Sequence, residues 1–368
     1  MKTMNTFTSN KGMSLVELMV AITISLFLII GIFQIYLNSQ TNYKTQKQIS
    51  RLQENGRFAM HKLTQSIRMG GNLGGTFDRF NVKAVTSPGF SAIAGECYTG
   101  TRRWAMPMID TATVPPPLLY GTDDSIAGFT GCVSAANYGT GDVISVHYAS
   151  PQSFQDTGTP ANKIIAGDTD VVQAGTLFLR ADINQGKVYE TKTCRSSPID
   201  CEIESNAQST SFTAVNSPVK AELFYIRRCN DTSADCPVTP SANDIPTLTR
   251  VSLEPGGPLV RHTALIEGVV SMQIQYGIDS DNDPQHTIDR YENADDGDLG
   301  SFIGEPLKWN RVKTVRVWLL MRSPDKEVGY VDPNAPYTMG DQSVTVDDGY
   351  RHMLFTTTIN LRNPGQTS

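Results

Sequence analysis

From Met13 to Leu37 the chain carries a single charged side chain, Glu17, in an otherwise apolar or neutral run. About 20 apolar residues cross the hydrocarbon of a bilayer as a helix, so the run is long enough to be embedded in a membrane. A carboxylate inside such a span costs several kcal/mol unless it is neutralised, paired or held at the interface, which marks Glu17 as a functional residue. Beyond Leu37 the apolar positions thin into a stripe of Ile49, Leu52, Ala59, Leu63 and Ile67, with Lys44, Lys47, Arg51, Glu54, Arg57 and Lys62 between them. That spacing predicts an amphipathic helix with one buried face. No proline occurs from 13 to 69, and Gly70-Gly71 supplies a stop. The two stretches therefore read as one continuous helix of about 57 residues, about 85 Å long. Its first half, 13–37, anchors; its continuation, 38–69, packs.

Of the 368 residues, about 300 remain for a head beginning at residue 70, enough for one large or two modest domains. After residue 75 the texture changes to short β-like runs divided by Gly, Pro, Asn and Asp. The clearest are Asp142–Tyr148, Val171–Leu179, Ala221–Arg227, Leu248–Leu253, Val269–Tyr276, Val312–Met321 and Arg351–Leu361. In Ala221–Arg227 both faces are apolar, which predicts burial on each side. Segments 114–117, 156–160 and 237–246 read as surface loops. Gly70–Gly75 lacks the Gly-Lys-Ser/Thr ending of a phosphate-cradling loop and follows a helix rather than preceding one, so it reads as a flexible link. Trp318 lies in a strand pattern and reads as core. The formal net charge is −6 and no sustained basic patch is present, which argues against direct nucleic-acid binding.

Six cysteines, Cys97, Cys132, Cys194, Cys201, Cys229 and Cys236, occur without a CxxC, and the five histidines sit apart. Disulfides are the better reading than zinc, and they imply an oxidising compartment, the periplasm or cell surface. Cys194/Cys201 and Cys229/Cys236 would each staple a polar loop and leave Cys97/Cys132. Fifteen pairings exist for six cysteines, and the sequence does not choose among them.

The segment Lys11-Gly12-Met13-Ser14-Leu15-Val16-Glu17-Leu18 resembles the processing site of type IV prepilins: a short basic leader ending in glycine, then a hydrophobic residue, with glutamate at the fifth mature position. The resemblance covers roughly the first 60 residues. It implies that residues 1–12 are a leader cut between Gly12 and Met13 by a prepilin peptidase, which also methylates the new amino terminus at Met13. It assigns Glu17 a charge pairing with the terminal amine of a neighbouring subunit. Two charges that are each costly in lipid offset one another only when brought together. A secretory signal would instead show a shorter apolar core ahead of its cut. One departure is Gln34, where many major pilins have proline, so any softening of the membrane half falls to Gly31, at about 1 kcal/mol relative to alanine.

The closing third is similar to minor pilins of the PilW type. The residues that carry the similarity are Val270-Ser271-Met272-Gln273-Ile274-Gln275-Tyr276-Gly277, then Val312-Lys313-Thr314-Val315-Arg316-Val317-Trp318-Leu319-Leu320, and the final Thr358-Ile359-Asn360-Leu361-Arg362-Asn363. Residues 76–250 match no named pattern. The implied fold is α+β and type IV pilin-like, a long N-terminal helix packed on a largely antiparallel β-sheet head with disulfide-stapled loops. The implied function is pilus assembly in a priming or tip complex, supporting twitching motility and adhesion. The implied partners are prepilin peptidase, other minor pilins and the major pilin, a tip adhesin and the inner-membrane assembly platform. The protein would wait in the inner membrane with its head in the periplasm and reach the cell surface on assembly. The alternatives are a minor pseudopilin of type II secretion, which is commonly much shorter, and a membrane-tethered adhesin or ligand-binding module.

Asp279, Asp281 and Asp283 alternate in a loop, with Asp289 six residues further on, and such a loop can supply several of the six to eight oxygens that calcium prefers. It departs from an EF-hand, with Pro284 and Arg290 at the positions of the invariant glycine and the closing glutamate. Closure would need Asp289 or Glu292, or the second cluster of Asp295, Asp296 and Asp298. A solvated acidic turn is the competing reading. No other cofactor is indicated. No nucleophile-elbow or HExxH string appears, so the chain reads as non-enzymatic.

Overall fold

The computed structural model describes residues 12–76, 82–84, 93, 95–97, 104, 117–155, 163–166, 175–191, 194–196, 199–202, 215–237, 239, 244–254, 259–280, 287–295, 299–300 and 308–362. The expected loops at 114–117, 156–160 and 237–246 fall mostly outside these residues. One helix, α1 (Leu15–Met69, 55 residues), opens the chain. It is followed by β1 (Val82–Ala84), β2 (Leu119–Thr122), β3 (Val143–Ala149), β4 (Phe154–Gln155), β5 (Lys163–Ala166) and β6 (Leu177–Ala181). Next come β7 (Gly186–Glu190), β8 (Cys194–Ser196), β9 (Ile199–Glu202), β10 (Val215–Arg227), β11 (Thr247–Glu254) and β12 (Leu259–Glu267). The last are β13 (Val269–Ile278), β14 (Arg290–Glu292), β15 (Val312–Arg322), β16 (Tyr337–Met339), β17 (Gln342–Val344) and β18 (His352–Asn360), with a 3-10 turn at Lys308–Arg311 ahead of β15.

The chain divides into two compact units, Met1–Arg51 and Leu52–Ser368, so the boundary falls inside α1. The reason is burial. In the second unit Leu52, Ala59, Leu63 and Ile67 join the main core, as their spacing predicts. The gap between Leu52 and Ala59 is filled by Gly56, whose missing side chain leaves room for the Phe355 ring of β18: a Cβ there would stand 2.2 Å from its tip.

The largest sheet runs β1-β7-β6-β10-β11-β12, with β3 and β4 also on β10 and β2 on β3. Every pairing is antiparallel except β1 with β7. The 13-residue β10 holds it together. Its first residues pair with β6, its middle with β3 and its last with β11. Pro218, which cannot donate to a ladder, sits where the partner changes from β6 to β3. Ala221–Arg227 is buried throughout, as a strand apolar on both faces requires. A second sheet, β14-β13-β15-β18, carries the closing third, and β5-β9-β8 and β16-β17 are small satellites.

The main core gathers Trp104, Tyr120, Phe129, Phe224, Tyr225, Tyr276 and Trp309 around the helix stripe. Trp318, expected in the core, is half-buried over a smaller cluster of Leu320, Tyr337 and Met339. A polar tie joins helix to sheet. The buried Glu222 of β10 accepts hydrogen bonds from Ser66 Oγ (2.5 Å), Tyr148 Oη (3.3 Å) and Arg250 Nη1 (3.2 Å).

The turn after α1 is not the flexible link its composition predicts. Gly71 N donates to His147 O (3.1 Å), Asn72 Nδ2 to Ala149 O (2.7 Å), and Ala149 N back to Asn72 O (2.6 Å). Gly71 and Gly74 adopt φ of 80° and 65°, a region glycine enters without steric cost, so these glycines shape a fixed turn against β3.

Cys97 is bonded to Cys132, and Cys229 to Cys236. Strand register places Cys194 opposite Cys201 in the β8–β9 pair, and the side chains of those two cysteines lie outside the described residues.

Candidate functional site

The first unit presents its apolar surface outward. Met13, Leu15, Val16, Phe27, Ile35 and Leu37 are all exposed. Α1 contains one span long and apolar enough to cross a membrane, none of it buried. Two of its polar side chains turn back onto the helix: Thr23 Oγ1 donates to Met19 O and Val20 O (3.1 and 2.9 Å), and Ser25 Oγ to Ala21 O and Ile22 O (2.7 and 3.0 Å). Hydroxyls satisfied this way ask nothing of the solvent, which is what a hydrocarbon environment demands.

Gly12 stands in open space ahead of the helix. Glu17 lies in the first turn, and Leu18 N donates to Ser14 O (3.1 Å). Ser14 and Glu17 have the S-x-x-E spacing of a capping box, a signal in the sequence beyond the prepilin resemblance. A carboxylate in the first turn is also favoured by the helix dipole. Glu17 thus suits both the start of its own helix and a cation brought to it from outside.

In the head, the described residues of the acidic loop that could supply calcium ligands make protein contacts. Asp279 is buried, with its carboxylate 3.9 Å from Lys313 Nζ. Ser280 donates from N and Oγ to Asp289 Oδ2 (2.7 and 2.6 Å). Glu292 accepts from Arg290 Nε (2.5 Å) and Leu299 N (3.1 Å). Asp281, Asp283, Asp296 and Asp298 lie outside the described residues.

The structure gathers a different acidic set. Asp123, Asp124 and Asp142 bring carboxylate oxygens within 4.8 Å of one another. Asp123 and Asp124 follow β2, Asp142 precedes β3, and the register Thr122↔Val143 brings the two strand ends together. Asp142 is buried, and burial pushes its carboxyl up to about 9 against two backbone hydrogen bonds that favour the charged form; Asp123 and Asp124 push it further the same way. The only sequence signal was an adjacent acid pair, and pairing of β2 with β3 across the 20 residues between them decides that it meets a third acid.

Residues 223–363 match the family model described as Type IV Pilus-assembly protein W, and residues 8–33 match that of the prokaryotic N-terminal methylation motif. Among solved structures the chain is similar to a type IV-like pilin from Thermus thermophilus, at 11% identity over 53% of this chain and 87% of that one, with a TM-score of 0.23. No curated protein matches the chain.

Proposed function

We propose that this chain, a type IV minor pilin of the PilW type, is cut after Gly12, methylated at Met13, and assembled into a pilus by moving its apolar helix from lipid onto the helices of neighbouring subunits. The observation that carries the reading is the exposed run from Met13 to Leu37 with Glu17 as its one charge. Such a surface is unfavourable in water and tolerable in lipid or against other apolar helices, so assembly exchanges one apolar environment for another. A charged amine at residue 13 of one subunit and Glu17 of the next would each be costly in that environment and offset each other when paired. This rewards stacking in one register. Prepilin peptidase, other minor pilins and the major pilin are the partners this mechanism needs. A priming or tip-proximal role, presentation of a tip adhesin, and support of motility and adhesion follow from the PilW resemblance. The head would lie in the periplasm before assembly and at the cell surface after it.

Mass spectrometry of the mature amino terminus tests the reading. The expected product begins with N-methylated Met13, and replacing Gly12 with a bulky residue leaves the precursor uncut. An intact Met1 on the mature native protein would overturn the proposal in favour of a tethered module.

A further inference from the structure

Outside the helix, the acids gathered where β2 meets β3 are the strongest unclaimed chemistry among the described residues. The oxygens of Asp123, Asp124 and Asp142 lie within 4.8 Å of one another. Two oxygens bound to one calcium ion at 2.3–2.6 Å are at most about 5 Å apart, so a single ion can touch all three groups. The hydrogen bonds these acids already make orient them without exhausting them. Asp142 accepts from Asp124 N (3.0 Å) and Ile274 N (2.6 Å), and Asp124 from Gln273 Nε2 (3.0 Å) and Gln342 Nε2 (2.9 Å). Each carboxylate oxygen has a second lone pair, and donors of this kind around ligating carboxylates are the usual outer shell of a metal site.

A second observation points into the same space. Tyr276 is 1% exposed and its hydroxyl has no hydrogen-bond partner. It reaches to within 2.2 Å of where a Cβ on Gly121 would stand. Gly121 lies two residues before Asp123, and its cross-strand partner Ile144 lies two after Asp142. The carboxylates acting on this hydroxyl are those of Asp142, Asp295 and Asp123. A buried hydroxyl left unpaired is costly, and an occupant at the strand ends, where Gly121 leads to Asp123, would satisfy it.

We propose that Asp123, Asp124 and Asp142 hold a calcium ion, with the Tyr276 hydroxyl completing the shell directly or through a bound water. The donors are all oxygens, which selects a hard cation. Three carboxylates in an irregular arrangement suit calcium better than magnesium, which demands a regular octahedron and keeps most of its waters. Exposed Asp124 provides the entry. The ion would brace the head across the start of the PilW match: the three acids precede residue 223, whereas Gln273, Ile274, Tyr276 and Gln342 lie within 223–363.

The test is calcium titration of the full chain in detergent after chelator treatment, read by calorimetry and thermal unfolding. One calcium per chain is expected, with Tm raised by at least about 3 °C at saturation. Asp123→Asn/Asp124→Asn should abolish both effects. Tyr276→Phe, which removes a costly unpaired hydroxyl, should not lower the chelator-treated Tm and should weaken calcium binding severalfold. Asp281→Asn/Asp283→Asn should bind like the parent. Absence of calcium binding in the parent, binding undiminished in the first two variants, or binding lost only in the Asp281/Asp283 variant would overturn the proposal.

Discussion

The two ends of α1 share a helix and treat their apolar side chains in opposite ways. From Leu15 to Leu37 the large apolar residues are exposed, whereas Leu52, Ala59, Leu63 and Ile67 are buried in the head core. Polar groups divide likewise: Thr23 and Ser25 turn back on their own helix, while Ser66 reaches Glu222 on β10. The contrast teaches that one continuous helix can carry two separate jobs. Its first part leaves its apolar side chains exposed, and its last turns belong to the fold. Damage to either part should therefore be separable.

The largest effect should come from Glu17→Ala, which is expected to abolish surface fibres, counted by electron microscopy, while shifting the Tm of the detergent-solubilised chain by less than about 1 °C. Normal fibres in that variant would break the comparison. Leu63→Ala should do the reverse. It empties a fully buried position and should cost about 2–5 kcal/mol in denaturant unfolding, with cleavage after Gly12 unaffected; a processing defect at unchanged stability would contradict the division.

A smaller effect concerns pH. Burial holds the His147 imidazole down to about 3, so the fold keeps it neutral while the unfolded chain takes up a proton below about 6.5. More protons on the unfolded state mean that stability falls as pH falls through the window from 6.5 toward 3. Between pH 6.5 and 5 the contribution of His147 itself should be a loss of about 2 kcal/mol; the raised Asp142 carboxyl acts in the opposite direction, so the His147 effect is read as the difference between the parent and His147→Phe in a pH series of unfolding curves. The smallest effect is at Gly56. Alanine there favours the helix by about 1 kcal/mol but drives a methyl into the Phe355 ring, so a net loss of about 1 kcal/mol is expected. Phe355→Leu should cancel it in a double-mutant cycle, and additive losses would remove the close approach from the account.

Much of the architecture was legible where the signal was local and repeated. The helix stripe at 3.6-residue spacing placed Leu63 and Ile67 in the core, and the apolar faces of Ala221–Arg227 marked β10 as buried on both sides. The short strands β2, β4, β7, β14 and β16 went unread, because two to five residues carry too little periodicity to stand out. The Gly70–Gly75 turn was misread as flexible because composition records permission to bend, and only β3 supplies the hydrogen bonds that fix it. Gly56 showed in the sequence only as a gap in the stripe; the reason for the gap is a ring from β18, almost 300 residues away.

The sequence by itself determined the apolar anchor, the length of the helix and the lone charge near its start, since each depends on residues within a few turns of one another. Tertiary structure alone decided that the turn after the helix is hydrogen-bonded to β3 and that Asp123 and Asp124 meet Asp142 while Asp279 pairs with Lys313. Those outcomes depend on strand register, where a shift of one residue moves every side chain to the opposite face, and register is set by the packing of the whole head.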